Sequence, residues 1–258
     1  MRTAMIGTGY VGLVSGVRFS DFGHEVIKCA ANEFLATKIT FMNEMAMLCE
    51  RVCADSKAVP EGMGLDGRMG NKFPDAGPGY GGSCFPEDTT ALAQIGQDYA
   101  VPLAITETVI SVNEATKRRM IGKIRDLLNG TLKDTIIAVL SVTFKPNTED
   151  VREAPSLTIL SAMIAMIGGG AHVRVVDPQG RQEGEELLPG VRWTENVYEA
   201  AEGADAVVLL TEWNAFRALD LGRLARAMAT PRMADLRNIY SSEDAERAGF
   251  EAYVAVGR

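Results

Sequence analysis

Cys84 is the residue of this sequence best placed to do chemistry. It stands in Gly77-Pro78-Gly79-Tyr80-Gly81-Gly82-Ser83-Cys84-Phe85-Pro86-Glu87-Asp88, behind four glycines and just before a helix expected to open at Asp88 and Thr89. A thiol at a helix N-terminus meets free N–H groups and the positive end of the helix dipole, the setting in which cysteine nucleophiles are found. A lone cysteine is more often buried and inert; the glycine-rich approach reverses that balance here. Cys29, Cys49 and Cys53 fall instead on an apolar helical pattern. Cys49 and Cys53 are four apart, but two histidines in the chain and no second cysteine pair do not make a zinc site.

A second motif opens the chain. Gly7-Thr8-Gly9-Tyr10-Val11-Gly12 follows a short apolar strand, Thr3–Ile6, and precedes a helical pattern, Leu13–Phe22, that stops at Gly23. Gly7, Gly9 and Gly12, with Tyr10 and Val11 between them, allow a tight turn and let a pyrophosphate approach the helix N-terminus, so the loop is a candidate NAD site. The rule also asks for an acid about twenty residues further on, at the end of the second strand. That region reads Lys28-Cys29-Ala30-Ala31-Asn32, and Glu33 falls inside a helical pattern.

The elements that must position these motifs follow from periodicity. His24–Ile27 reads as the start of a second strand, cut short within four residues by a helix running from about Ile27 to Cys53. Residues 54–86, rich in Gly, Pro and Asp, read as an ordered functional loop, with helix resuming from Thr89. After Pro102 one helix continues to the Asn129-Gly130 stop signal and spans roughly 40 Å. Its apolar positions, Val109, Val112, Ile121, Ile124 and Leu128, exceed what one small domain covers and predict a homodimer built on this helix. Beyond Gly130 strands and helices alternate. Strands are expected at Thr135–Phe144, His172–Val176, Val191–Thr194, Ala206–Leu210 and Arg232–Leu236. Helices are expected at Ala154–Ile167, near Glu183, at Val197–Glu202 and at Leu221–Ala229. That is the signature of a doubly wound parallel sheet.

Composition narrows the function classes. A net charge of −8 argues against a nucleic-acid surface. The opening glycine loop comes too early for a signal peptide, and the longest apolar run, Leu157–Ile167, is too short for a bilayer, so no membrane contact and a cytoplasmic location are expected.

Five stretches in order carry a family likeness: AANEFLATKITFMNE, GLDGRMGNKF, GPGYGGSCFPED, VTFKPNTEDVREAPS and DLRNIY. Together they resemble the motif set of the UDP-glucose 6-dehydrogenases, more closely than that of the related GDP-mannose enzymes. The resemblance implies oxidation of UDP-glucose to UDP-glucuronate, for polysaccharide biosynthesis, with two NAD⁺ and water. Cys84 would attack the C6 aldehyde, giving a thiohemiacetal and then a thioester, so that the aldehyde cannot escape. Lys28 and Asn32 match the pair that stabilises the oxyanion, and their spacing puts both on one helix face. Asp88 matches the residue that helps activate the hydrolytic water. Arg68, Phe73, Gly77, Gly81, Lys145 and Arg237 fall where the family binds the sugar and the UDP phosphates, Arg68 serving the neighbouring subunit. Arg152 matches a residue at the NAD site.

The resemblance also implies a layout: residues 1–26 as a remnant of a Rossmann NAD domain, 27–130 as central helices carrying the cysteine loop, and 131–258 as an α/β UDP-binding domain. A full dinucleotide domain needs on the order of 150 residues, so the junction near His24–Ile27 reads as an internal deletion. Glu87 replaces the lysine that the family brings to the NAD pyrophosphate, and an acid there repels it. A catalytically inactive UDP-sugar-binding module is therefore the rival to an active dehydrogenase. Asp177, at the end of the strand HVRVVD, is expected to be structural, because no GxGxxG follows the first strand of that domain.

Overall fold

The computed structural model describes residues 23–70, 72–168 and 172–258. The strand Thr3–Ile6, the glycine loop from Gly7 to Gly12 and the helix after it lie outside the described residues.

Cys29, Glu33, Ala36, Thr40 and Asn43 recur at steps of four and three, and all are buried, so they make one continuous inward face of a helix. That helix, α1, runs Gly23–Val52. The strand expected at His24–Ile27 is not formed: the helix already includes these residues, and Val26 and Ile27 are exposed rather than buried as a core strand would have them. Within the loop expected at 54–86 lies a short helix, α2 (Ala58–Gly64), which buries no residue and so left no periodic trace. Helix α3 (Cys84–Asp98) starts five residues before the expected Thr89. Pro86 stands in its first turn, where an N–H would have no intrahelical partner anyway.

Helix α4 (Ala104–Leu127) packs with α1 and α3 and continues onto the sheet domain. Its Val109, Ile124 and Leu128 are buried within this chain and Ile121 packs against the sheet core. The apolar surplus from which a dimer was expected is thus largely covered. Exposed large apolar side chains include Phe34, Leu35 and Leu48 on α1 and Ile105 in the first turn of α4.

The remainder alternates as β1 (Ile137–Leu140), α5 (Pro155–Ile167), β2 (Val173–Val176), α6 (Arg181–Leu187), β3 (Arg192–Trp193), α7 (Val197–Ala201) and β4 (Ala206–Leu209). It continues through α8 (Asn214–Arg217), α9 (Leu221–Ala227), β5 (Arg232–Asp235), α10 (Ser242–Ala248) and β6 (Ala252–Ala255). The strands form one parallel sheet in the order β3-β2-β1-β4-β5-β6. Both faces of β1 and β4 are covered, which is why they read as unbroken apolar runs. The order reverses between β1 and β4, and in such sheets ligands sit beyond the strand ends at that point.

Strand β1 ends four residues before the expected Phe144, and Asp177 supplies the reason. Its carboxylate accepts from Ser141 Oγ (2.6 Å) and from the backbone N–H groups of Val142 (2.7 Å), Thr143 (3.2 Å), Gln179 (2.9 Å) and Gly180 (2.6 Å). These bonds turn the chain out of the sheet at Ser141, which has φ 71°. Asp177 is a structural knot, as expected.

The chain end returns to the helices. Gly257 N–H donates to Glu50 Oε1 at 2.7 Å, and Lys123 closes an ion pair with the same oxygen at 2.7 Å. No described helix is long and apolar enough to cross a membrane, and no cluster of metal-ligating side chains occurs among the described residues.

Candidate active site

Cys84 is the first residue of α3, is exposed, and lies 3.8 Å from Ser83 Oγ. Asp88 follows it by four residues and therefore shares its face of the helix. The Asp88 side chain is buried and turned toward α1, where Lys28 Nζ donates to Oδ1 at 3.0 Å and Asn32 Nδ2 donates to Oδ2. Cys29 Sγ adds a longer contact to Oδ1 at 3.8 Å. Three residues singled out by sequence, Asp88, Lys28 and Asn32, thus meet where the start of α3 rests on α1, and Cys84 lies one helical turn before Asp88. The arrangement sets a cation, an amide N–H and a carboxylate one helical turn along α3 from an accessible thiol, group types suited to attack on a carbonyl and to holding the resulting oxyanion.

The loop leading to Cys84 is pinned along its length. Gly81 has no room for a side chain: a Cβ there would lie 2.3 Å from Glu153 O. Gly82 adopts φ +82° against the Phe144 ring, and its N–H donates to Arg152 O at 3.0 Å. Burial pushes the phenol of Tyr80 up to about 12, so it stays neutral.

Gly77 links this loop to the sheet. A Cβ at Gly77 would meet Arg237 Nη1 at 3.2 Å. Arg237 itself spans three strand ends at the reversal of strand order: Nε donates to Leu210 O (2.9 Å), Nη2 donates to Phe144 O (3.2 Å), and the Glu212 carboxylate lies 3.2 Å away. Burial holds its guanidinium below the ordinary arginine value, and Glu212 opposes that shift. Lys145 stands next to Phe144 on the same rim, exposed, with its Nζ 5.1 Å from the Phe144 ring centroid. Gly77, Lys145 and Arg237 therefore lie together at the ends of the strands, with Gly81 further along the same loop against Glu153.

Arg68 and Phe73 do not join them by any described contact. Arg68 is 88% exposed and pairs with Asp66 at 2.6 Å, while Phe73 lies under Lys38 Nζ at 4.2 Å. The expected NAD residues Gly7, Gly9, Tyr10, Val11 and Gly12 fall outside the described residues. Arg152 is exposed and tied to Asp150 at 2.9 Å, with Glu87 and Glu183 also raising its affinity for its proton. Arg152 is the one expected NAD residue among the described residues, and its guanidinium is committed to Asp150.

Sequence reasoning missed three buried asparagines that hold the cysteine loop: Asn43, Asn113 and Asn238. Their signal was available, because Asn43 and Asn113 are polar residues on the inward faces of α1 and α4. Glu212, the countercharge of Arg237, was missed as well. Cys53, expected on an apolar face with Cys29 and Cys49, is exposed, whereas the other two are buried.

Comparison with known proteins decides the lineage. Residues 24–115 match the model of the UDP-glucose/GDP-mannose dehydrogenase family, central domain, and residues 138–242 match that family's UDP binding domain. The chain belongs to this family. Among family members it is 48% identical over 234 residues to a UDP-glucose 6-dehydrogenase of Rhizobium meliloti, covering 91% of this chain and 53% of the relative. It is 43% identical over 235 residues to UDP-glucose 6-dehydrogenase TuaD of Bacillus subtilis, covering 91% and 50%. A UDP-glucose dehydrogenase structure from Pyrobaculum islandicum superposes with TM-score 0.77 at 30% identity, covering 88% of this chain and 49% of that one. The chain spans about half the length of the curated relatives it matches.

Proposed function

We propose that this chain is the UDP-sugar-binding and thiol-bearing part of a UDP-glucose 6-dehydrogenase, and that by itself it binds UDP-glucose without oxidising it. The layout is a remnant of the NAD domain in residues 1–26, the central helices in 27–130 and the UDP-binding domain in 131–258. The single observation carrying this reading is the Lys28–Asp88–Asn32 cluster one helical turn from Cys84, on a loop whose Gly77 approaches Arg237 at the strand ends. Cationic groups at that rim suit a diphosphate, which leaves the sugar directed toward the thiol. Lys28 and Asn32 then serve as donors to an oxyanion on the sugar's C6 carbon, and Asp88 holds both in place and orients water. Gly77 and Gly81 let the backbone approach the ligand.

NAD⁺, when bound, accepts the hydride. Of its expected residues only Arg152 is among those described, so no step is assigned to it. Positioning a reacting pair within about 3–3.5 Å supplies roughly 7–11 kcal/mol of a barrier, and losing half of that slows the step by several orders of magnitude. A cytoplasmic homodimer is part of the proposal. Arg68, outside that group and 88% exposed, is available to a neighbouring subunit's site, and the exposed apolar side chains of α1 supply a surface for it.

The experiment is a continuous absorbance assay at 340 nm with UDP-glucose and NAD⁺. No NADH above background is expected from this chain, and turnover near that of a longer relative would overturn the proposal.

A further inference from the structure

The backbone of the cysteine loop is held by buried amides rather than by ordinary secondary structure. Asn43, on α1 and 2% exposed, accepts the Gly77 N–H on Oδ1 at 2.8 Å. Asn113, on α4 and 3% exposed, accepts the Tyr80 N–H at 2.9 Å and returns an N–H to Tyr80 O at 3.1 Å, a two-bond mimic of a strand pair. From the sheet side, Asn238 Nδ2 donates to Ala76 O at 3.4 Å and to Val256 O at 2.9 Å. Three elements distant in sequence thus grip residues 76–80.

The grip has a cost. Asn43 Nδ2 is buried without a partner, and an unsatisfied buried donor is unfavourable. An apolar side chain of similar size would avoid that cost, so what retains the amide is its one bond to the loop. Past Tyr80 the chain has little freedom: Gly81 is boxed in by Glu153 O, Gly82 is bonded to Arg152 O, and α3 begins two residues later with Cys84.

We infer that Asn113 and Asn43 are positioning residues that fix the loop so that the Cys84 thiol meets the first turn of α3 and the Lys28–Asp88–Asn32 cluster in one geometry. Neither asparagine touches substrate; both act through the backbone of Gly77 and Tyr80. The inference rests on the reading of Cys84 as the nucleophile, and the experiment separates the two.

The test is alkylation of the folded chain by iodoacetamide at neutral pH, read at each cysteine by mass spectrometry, together with amide hydrogen exchange of the loop. Cys53 is an internal reference, because it is exposed and lies at the far end of α1; Cys29 and Cys49 report unfolding. In the parent, Cys84 is expected to react about ten-fold faster than Cys53. In Asn113→Ala that ratio falls to within about three of unity and exchange of the Tyr80 and Gly82 amides rises ten-fold or more, with Cys29 and Cys49 still protected. Asn113→Asp keeps the acceptor for Tyr80 and is expected to fall between the two. It also carries the test if the alanine variant does not fold.

A parent ratio near one would refute the nucleophile reading. The exchange data would then still decide the clamp. Unchanged loop exchange and an unchanged Cys84-to-Cys53 ratio in a folded variant would overturn the inference itself.

Discussion

Asp88→Asn is the sharpest perturbation of the proposed site, because it keeps the size of the side chain and removes only its charge and one acceptor. The carboxylate is buried at 5% exposure and takes donors from Lys28 and Asn32. The new amide turns one of its two ends into a donor, so it faces either the Lys28 ammonium or the Asn32 amide donor to donor. A hydrogen bond to a charged group contributes roughly 1.5–3 kcal/mol. The Asn32 bond is given that full value. The Lys28 side chain is 36% exposed, so its share is discounted to about 1 kcal/mol for solvent screening. The total is a loss of roughly 2.5–4 kcal/mol, which for a chain of this size lowers Tm by roughly 5–15 °C. The assay is thermal unfolding followed by circular dichroism at low and high salt, where only the Lys28 share shrinks with added salt. A Tm change under about 2 °C at low salt would refute the reasoning, since it would mean that the buried carboxylate is not held by these donors.

Two further predictions concern stability. Asp177→Ala strands the backbone N–H groups of Val142, Thr143, Gln179 and Gly180, and a loss of about 3–5 kcal/mol is expected by analogy with broken buried charge networks. Urea unfolding measures it, and a change below about 1 kcal/mol would show the knot to be dispensable. Burial raises the Glu33 carboxyl above its ordinary value of 4.5, against smaller lowering contributions from Thr37 and Thr106. A raised folded-state value means that this group's contribution is complete below the ordinary value and is lost as pH rises through the raised one. Glu33→Gln should therefore gain stability relative to the parent as pH rises above the ordinary value of 4.5, and thermal melts showing the opposite trend would exclude this account.

Much of the architecture was legible because its physics is local. Ile137–Leu140 and Ala206–Leu209 are buried on both faces and appear as apolar runs, and Val109, Asn113, Met120 and Ile124 mark one face of α4 at helical spacing. The misses have equally definite causes. Ala58–Gly64 contains two glycines and a proline and buries nothing, so α2 has no pattern to read. Helix α10 was announced by its Ser241 cap and the Gly249 stop, signals that are easily passed over beside stronger apolar runs. In the site, Cys84 and Asp88 share a face by spacing alone, and so do Lys28 and Asn32. The meeting of Asp88 with Lys28 across sixty positions, and the grip of Asn43, Asn113 and Asn238 on the loop, depend on how α1, α4 and the sheet pack together, which no local pattern encodes.

The central claim is that the ends of β1, β4 and β5, where Arg237 and Lys145 stand, take the diphosphate of a UDP-sugar. Lys145 tests it with little disturbance, because its side chain is exposed and its described interactions are the Phe144 ring and the charge of Asp150. Isothermal titration of UDP into the parent and into Lys145→Ala is the direct measurement. A charge-assisted phosphate bond contributes roughly 1.5–3 kcal/mol, so the account predicts binding by the parent and an affinity about ten-fold or more weaker in the variant. No binding heat from the folded parent, or equal affinity in the two, would contradict it.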